Sequence, residues 1–309
     1  MPVWAIILIV VGSVLLILGG IIFFVIYSDI QMSKATINPK FKDRKTMLEN
    51  LNDIEKEGLS LLDPVDFALT LKDGYVIHGD YTLNKKPSNK YIIIIHGHGS
   101  TREGALKYVP FYYKLGYNII RYDHRGHGDN VRTRCSMGIN ESQDLDEIIT
   151  FVKDKFGQDI FLALHGTSLG GAASLLVTKY RQDIKYIIAD CPYSSMIVFA
   201  GDYVHNHHMT YWPFKIFLPT VLYKLSGFNI REMSPIKYIG NNKVPTLHVH
   251  GLKDKFIKPY HCNLLFQKNG AEDKEIHLFP NGTHGKSVLF DHDEYEKVLR
   301  EFISRQESK

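Results

Sequence analysis

Six short apolar segments between residues 91 and 280 constrain the fold of this chain more than any other feature. They are so dense in Ile, Leu and Val that neither face could lie in water, so each predicts a strand buried on both faces. Stretches with the pattern of amphipathic helices, such as ESQDLDEIITFVKDKF, accompany them. This predicts an open α/β fold, a mostly parallel sheet covered by helices. The segments are YIIIIHG, YNIIRYD, DIFLALHG, IKYIIAD, PTLHVHG and EIHLFP.

Two further strands are expected before these six. VDFALTL and YVIHGDYTL flank the turn KDG, which is the pattern of a β-hairpin. In an open α/β sheet, reactive groups collect at the carboxyl ends of the strands. The residues that follow each strand are therefore where functional side chains are expected.

The N-terminal segment differs from the rest of the chain. Residues 1–28 contain no charged side chain, and residues 3–26 are almost wholly aliphatic or aromatic. A helix of that length spans roughly 36 Å, enough to cross a hydrocarbon core of about 30 Å. A cleaved signal peptide would have a basic start and a small-residue cleavage site, and both are missing here. We therefore predict that residues 1–28 are a transmembrane anchor and that residues 3–26 contact lipid.

Residues 29–60 are interpreted as a linker followed by a surface helix. The first part is polar and basic, and Pro39 would interrupt a helix there. The segment TMLENLNDIEKEGLSLL then has apolar residues at helical spacing. Because basic residues are retained on the cytoplasmic side, their excess after the anchor predicts a single-pass protein of the cell membrane with its main domain inside. The opposite orientation stays open, since an N-terminal anchor can act as an uncleaved signal.

Composition excludes several other classes. A formal charge of +4 over 309 residues, without a basic cluster, gives no reason to expect a nucleic-acid partner. Cys135, Cys191 and Cys262 are far apart and odd in number, which argues against a disulfide framework and a cysteine zinc site. We expect no metal and no organic cofactor, and the sequence indicates no oligomeric state.

The segment HGTSLGG, residues 165–171, places Ser168 between a predicted strand and a predicted helix. In a sharp strand-to-helix turn a serine is held above the edge of the sheet, and Gly166 and Gly170 would allow strand and helix to approach closely. The motif alone is also compatible with an ordinary tight turn, because glycine and serine are common turn residues. Ser168 is the candidate nucleophile.

A serine nucleophile needs a base and an acid, and two loops can supply them. His284 lies in FPNGTHGKS, after the last predicted strand, and Asp254 lies in HVHGLKDKFI, after the strand before it. Each residue alone has an ordinary explanation, but the order Ser168, Asp254, His284, each after a separate strand, is much harder to explain by chance. Asp190 also ends a strand and is the alternative acid.

An oxyanion needs backbone donors, and YIIIIHGHGS provides a strand that runs into a glycine-rich turn. The backbone N–H groups of His98 and Leu169 are the expected pair. A dinucleotide-binding loop would explain the same strand and turn, but Arg102 stands where its third glycine would be. The imidazoles of His96 and His98 are interpreted as structural.

These motifs resemble those of the α/β-hydrolases. HGHGS resembles the oxyanion turn of that superfamily, YDHRGHGDN its Asp-x-Arg-Gly-His-Gly segment, HGTSLGG its nucleophile elbow, and HGLKDKFI and THG its acid and histidine loops. The chain is most similar to bacterial membrane-attached hydrolases of the serine-aminopeptidase-like and esterase-like branch. Members with an aspartate nucleophile are excluded by Ser168, and the resemblance implies that Asp123 and Arg125 brace neighbouring loops.

The resemblance further implies a catalytic domain over residues 61–309 with a lid at about 195–243. The lid sequence is rich in aromatic residues, which either line an apolar substrate pocket or pack the lid onto the core. The candidate pocket residues are Tyr203, Tyr211, Trp212 and Phe214. The cluster HNHH, residues 205–208, has no accompanying carboxylate or cysteine pattern, so we interpret it as solvated rather than metal-binding.

The sequence therefore predicts a membrane-anchored serine hydrolase that cleaves a carboxylic ester through a Ser-His-Asp triad and an acyl-enzyme. A peptidase or amidase of the serine-aminopeptidase-like branch is the first alternative, with a short peptide as substrate. The second is a membrane-anchored binding module without catalysis, which would have no need to keep Ser168, Asp254 and His284 together.

Overall fold

The computed structural model describes residues 1–38, 40–206 and 210–309, and within these ranges the apolar segments pair into one eight-stranded sheet. The strand order is β1-β2-β4-β3-β5-β6-β7-β8. All six predicted strands and the predicted hairpin are present, but the last strand lies at the edge of the sheet and is only half-buried from residue 274 to residue 278, so its predicted burial on both faces is wrong. The strands are β1 (Val65–Thr70), β2 (Val76–Thr82), β3 (Lys90–Ile95), β4 (Asn118–Tyr122), β5 (Phe161–Thr167), β6 (Ile187–Asp190), β7 (Thr246–Gly251) and β8 (Lys274–Phe279).

The sheet is parallel except at one edge. β1 pairs with β2 and β2 with β4 in antiparallel register, whereas the pairs from β4 through β3 to β8 are all parallel. Residues 91–95 of β3 and 118–122 of β4 are buried throughout, as expected for strands covered on both faces. The carboxyl ends of β5, β7 and β8 consequently lie along the same edge.

Helices surround this sheet. They are α1 (Val3–Ile37), α2 (Arg44–Glu49), α3 (Asp53–Ser60), α4 (Val109–Lys114), α5 (Ile139–Phe156), α6 (Leu169–Leu176), α7 (Met196–Asn206), α8 (Tyr211–Ser226), α9 (Pro235–Tyr238), α10 (Tyr260–Lys268), α11 (Ser287–Phe290) and α12 (His292–Glu307). Short 3-10 turns cover residues 102–108, 177–179 and 239–241.

Two apolar layers, one on each face of the sheet, form the core. On one face α5 contributes Leu145, Ile148, Ile149 and Val152. On the other, α12 contributes Tyr295, Leu299, Phe302 and Ile303. Both sets have the three- and four-residue spacing that places side chains on one helical face.

The N-terminal helix is longer than the predicted anchor. Among the described residues, one helix is long and apolar enough to cross a membrane by length and composition, and this is α1. Its apolar stretch is exposed, with a mean hydropathy of 3.1 in the most apolar window. The helix continues to Ile37, so residues 29–37, which we predicted as linker, extend the anchor helix. Their charged and polar side chains are compatible with a helix, and no proline lies between residues 3 and 38.

The predicted surface helix after the linker is divided into two. Asp43 caps α2, and its side chain accepts a hydrogen bond from the Thr46 backbone N–H at 2.8 Å. Asn52 then starts α3 with a capping box, in which Asn52 and Glu55 satisfy each other's backbone N–H groups. The second cap restarts the helix, because it supplies acceptors for N–H groups at a helix start.

Candidate active site

Ser168 lies at the turn between β5 and α6. The strand ends at Thr167 and the helix begins at Leu169, leaving Ser168 alone at the junction with φ of 55° and ψ of −113°. Positive φ is uncommon for a residue with a side chain, and strained backbone of this kind clusters at functional sites. The Ser168 backbone N–H donates to the carbonyl oxygen of Asp190 at 2.7 Å, which fixes the turn to the neighbouring strand.

The turn depends on the close approach of strand and helix at two glycines. A Cβ atom at Gly166 would lie 2.2 Å from the Gly170 carbonyl oxygen. A Cβ atom at Gly170 would lie 2.3 Å from the carbonyl oxygen of Ile95 in β3. These distances are far below van der Waals contact with rigid backbone, so the two positions require glycine.

We expect Gly170→Ala to destabilise the protein by about 1–3 kcal/mol, because an extra carbon is forced into a well-packed region. Urea unfolding of the detergent-solubilised protein measures this change. Gly240→Ala is the matched control, since its Cβ would meet only ordinary contacts at 3.6 Å or more. Equal stability of the two variants would contradict the packing argument.

Three side chains from three separate loops meet at the carboxyl edge of the sheet. His284 Nε2 lies 3.0 Å from Ser168 Oγ, and His284 Nδ1 lies 2.7 Å from Asp254 Oδ2. The carboxylate can only accept, so Nδ1 carries the proton and the Nε2 lone pair faces the serine hydroxyl. The arrangement can withdraw a proton from Ser168 and leave the resulting charge on His284 beside Asp254.

Asp254 is held in an almost fully buried position. Its Oδ1 accepts the backbone N–H groups of Phe256 and Ile257, both at 2.9 Å. Burial raises the pKa of the Asp254 carboxyl, but hydrogen bonds from His250 and His284 outweigh burial and hold that pKa below its usual value. Asp254 is therefore ionised at neutral pH, as an acceptor for His284 requires.

His250 is a residue of the site that the sequence analysis did not single out. It is fully buried at the end of β7, and its Nε2 lies 3.1 Å from Asp254 Oδ2 and 2.8 Å from the carbonyl oxygen of Ile257. Since both neighbours are acceptors, Nε2 carries a proton and donates to them. The four-residue spacing between His250 and Asp254 in HGLKD is the signal that could have found it.

Asp190, the alternative acid, lies in a different environment. Its Oδ2 accepts hydrogen bonds from the hydroxyl groups of Tyr108 and Tyr295, both at 2.9 Å. The hydrogen bond recorded for His284 Nδ1 is to Asp254. The Asp190 carboxylate thus belongs to a buried tyrosine cluster.

The two predicted oxyanion donors flank the nucleophile. Leu169 is the first residue of α6, and Gly97, next to His98, lies against Ser168. Within the part of the chain that the structure describes, the backbone N–H groups of His98 and Leu169 have no hydrogen-bond acceptor. Free N–H groups at the start of a helix are suited to a developing negative charge.

Other residues of the hydrolase-like motifs support these loops. The Asp123 carboxylate accepts the Arg102 backbone N–H at 2.7 Å, and Arg125 pairs with Asp144 at 2.6 Å. His96 accepts the backbone N–H of His124 at 2.9 Å. These contacts hold the loops at the ends of β3 and β4, in line with the structural role inferred for them.

A cavity of about 400 Å³ opens onto Ser168. Of the four predicted pocket residues, Tyr203 lines it. Phe214 is buried between Val25 and Val204, so it packs the lid against α1 and not around a substrate. Trp212 is 66 % exposed and lies outside the cavity lining. The Tyr211 side chain lies outside what the structure describes.

The remaining lining is mostly apolar and comes partly from the predicted lid and partly from segments outside it. It includes Met137, Phe199, Leu218, Leu222, Phe256 and Ile257. In the predicted histidine cluster, His205 and Asn206 are exposed at the end of α7, and His207 and His208 lie outside the described residues.

Cys191 lies beside the catalytic candidates. Ligand atoms of Cys191, Asp254 and His284 lie within 4.8 Å of one another. Burial raises the pKa of the Cys191 thiol, so the sulfur stays protonated and is a poor metal ligand. Asp254 and His284 are already bonded to each other, which leaves this trio better suited to proton transfer than to holding an ion.

Comparison with known proteins supports the same type of fold. The family described as serine aminopeptidase, S33, matches residues 86–212. The uncharacterized protein YqkD of Bacillus subtilis is 27% identical over 298 residues, 94% of this chain and 97% of its own length. The uncharacterized membrane protein YNL320W of Saccharomyces cerevisiae is 24% identical and covers 71% of this chain and 72% of its own. The lysophosphatidylserine lipase ABHD12 of Gallus gallus is 22% identical over 70% of this chain, which spans 58% of that relative.

Among solved structures, the esterase Pf2001 of Pyrococcus furiosus superposes with a TM-score of 0.66 at 20% sequence identity. The match covers 83% of this chain and 96% of the esterase. At this identity the likeness establishes the shared fold.

Proposed function

We propose that this chain is a member of the α/β-hydrolase superfamily and a membrane-anchored serine hydrolase that cleaves a carboxylic ester. The observation that carries the proposal is the continuous contact from Ser168 Oγ to His284, at 3.0 Å, and from His284 to Asp254, at 2.7 Å. These contacts join a nucleophile, a base and an acid from three loops beside a mainly apolar cavity.

The reaction would proceed in two halves. Ser168 Oγ attacks the acyl carbonyl carbon while His284 Nε2 takes the hydroxyl proton, and the carbonyl electrons move onto its oxygen. Collapse of this intermediate expels the alcohol, which receives the proton from His284, and leaves the acyl group on Ser168. A water molecule then attacks the acyl carbon while His284 takes its proton. Collapse of this second intermediate releases the carboxylic acid, and His284 returns the proton to Ser168 Oγ.

The backbone would stabilise the intermediate. The N–H groups of His98 and Leu169 are free to donate to the oxyanion, and the positive end of the α6 dipole lies beneath it. Asp254 stays ionised and stabilises the imidazolium form of His284. No metal or organic cofactor enters any of these steps.

Two features favour an apolar ester as substrate. The cavity lining is mostly aliphatic and aromatic. Phe199 and Phe256 are in T-shaped contact there, with ring centroids 5.2 Å apart. The relative ABHD12, of which this chain covers 58%, is described as a lysophosphatidylserine lipase. That description favours a lipid ester as substrate here. The match to the serine aminopeptidase family supports a peptidase or amidase as the second candidate.

Covalent labelling of the purified full-length protein with a fluorophosphonate, followed by a panel of esters and short peptides, tests the proposal. We expect one labelled serine and faster hydrolysis of esters than of peptides. Faster peptide hydrolysis would favour the second candidate. An unlabelled protein without hydrolytic activity would instead indicate the non-catalytic binding module.

The membrane side of the catalytic domain belongs to the same proposal. Basic residues outnumber acidic ones just after the apolar stretch, which favours the cytoplasmic side. Arg44 contributes less to this charge excess than the sequence implies, because its guanidinium group forms ion pairs with Glu103 at 2.6 Å and Asp129 at 2.7 Å. The residues counted are Lys34, Lys40, Lys42, Arg44 and Lys45, against Asp29 and Asp43.

We expect protease added to intact spheroplasts to leave the catalytic domain undigested, because an inward-facing domain is shielded by the bilayer. Immunoblotting for the domain measures this, and lysed spheroplasts provide the control in which it must be digested. Digestion without lysis would place the domain outside and overturn the assignment.

A further inference from the structure

The anchor helix α1 changes its surroundings along its length. Most of residues 1–24 are exposed, whereas Val25, Asp29, Ser33 and Ile37 are buried. Four-residue spacing puts these side chains on one side of the helix. The buried side faces the lid, where Val25 packs with Val204 and Phe214, and Ile37 joins the cluster that contains Leu218 and Leu222.

The same part of α1 reaches the catalytic cavity. Met32, Ser33, Ala35 and Thr36 line the cavity that contains Ser168. Leu218 and Leu222 of α8 line it as well. A substrate chain lying in this space would contact the anchor helix together with the lid.

Two hydrogen bonds to backbone carbonyl groups of α1 fix the end of this helix to the catalytic domain. The His98 side chain donates from Nε2 to the Thr36 carbonyl oxygen at 2.8 Å. The Cys135 backbone N–H donates to the Ile37 carbonyl oxygen at 2.8 Å. Because His98 also provides a proposed oxyanion N–H, α1 is joined to the loop nearest the reacting carbonyl.

The distance along the helix relates the cavity to the bilayer. Met32 follows Ile26, the last residue of the predicted lipid-contacting stretch, by six residues, or about 9 Å of helix. Each interfacial layer of a bilayer is roughly 5–8 Å thick. The cavity wall formed by α1 therefore begins close to the level of the lipid head groups.

We propose that Met32, Ser33, Ala35 and Thr36 of α1 form a specificity-determining wall of the substrate pocket, so that the anchor is part of the binding site as well as the tether. The ligand is an amphiphile whose hydrocarbon chain runs from the carbonyl at Ser168 along α1. This inference rests on the proposed hydrolase function and deepens it. Ala35 is the position to test, because it lines the cavity and is exposed. A larger side chain there can project into the cavity without displacing core residues.

The test compares Ala35→Trp with the unmodified full-length protein in detergent, using p-nitrophenyl laurate and p-nitrophenyl butyrate. We expect the laurate-to-butyrate ratio of kcat/KM to fall at least about tenfold, since loss of contact for only two methylene groups is worth that much. Gln31→Trp is the matched control, because Gln31 is exposed on α1 and lies outside the cavity lining. Its ratio should equal that of the unmodified protein.

Fluorophosphonate labelling separates this inference from the function on which it rests. If the unmodified protein is neither labelled nor active, the proposed hydrolase function fails. If Ala35→Trp is labelled normally but keeps the laurate-to-butyrate ratio of the unmodified protein, the inference that α1 forms a pocket wall is wrong and the hydrolase function stands. Ala35→Leu, a smaller change, is measured beside it, and a preserved ratio in either labelled variant overturns the inference.

Discussion

Ser168→Ala is expected to abolish fluorophosphonate labelling and to lower kcat by about 10⁴-fold or more, the scale of nucleophile removal in serine hydrolases. The hydroxyl that lies 3.0 Å from His284 Nε2 is the only atom group removed. The fold should survive, because Ser168 Oγ bonds to His284 whereas the turn is held by backbone contacts and by the glycines beside it. Ester hydrolysis by the purified variant, together with its thermal unfolding, measures both effects.

Ser174→Ala provides the matched control for this substitution. Ser174 is fully buried in the same helix, α6, and its hydroxyl donates to the Gly170 carbonyl oxygen at 2.8 Å. Losing that bond should cost about 1 kcal/mol of stability and leave labelling intact. Undiminished hydrolysis in Ser168→Ala, with labelling at another residue, would exclude Ser168 as the nucleophile.

Much of the fold could be predicted because the information is local. Residues 91–95 are apolar throughout, and only a sheet covered on both faces buries such a strand completely. Chain order then determines which loops follow strand ends. The prediction that Ser168, Asp254 and His284 meet needed only that order, and the structure brings their side chains within hydrogen-bonding distance.

The pocket could not be predicted in the same way, because it depends on how separate elements pack. Aromatic composition suggested Trp212 and Phe214, but the rotation of α8 turns one toward solvent and the other into the contact with α1. The contribution of Met32 and Thr36 was missed because residues 29–37 were interpreted as linker. Nothing local in the sequence indicates that the end of the anchor helix will pack along the lid.

The role of His250 also could not be predicted from the sequence. A histidine within a strand is most simply explained as part of the core, and its burial agrees with that view. Its role follows only from the positions of Asp254 Oδ2 and the Ile257 carbonyl oxygen, at 3.1 and 2.8 Å from the same nitrogen. These depend on the course of the loop after β7, which the sequence pattern does not specify.

Asp254 and Asp190 are both buried carboxylates, and the second large expected effect depends on which of them orients His284. Asp254→Asn should lower kcat by about 10⁴-fold, as expected when the orienting acid of a triad becomes an amide. The new side chain can still accept the N–H groups of Phe256 and Ile257 through its oxygen. Its NH₂ group then faces His284 Nδ1 and favours the tautomer with the proton on Nε2, which cannot take a proton from Ser168.

Asp190→Asn is the matched comparison, since it makes the same chemical change in a buried aspartate at the end of a neighbouring strand. It weakens hydrogen bonds from Tyr108 and Tyr295, at 2.9 Å, and leaves the backbone bond from the Ser168 N–H to the Asp190 carbonyl oxygen in place. We therefore expect kcat to fall by less than about tenfold, because the lost hydrogen bonds do not involve His284. Steady-state ester hydrolysis by both variants, each first shown to unfold cooperatively, measures the ranking. If Asp190→Asn loses more activity than Asp254→Asn, the acid is Asp190 and the carboxylate beside His284 has only a structural role.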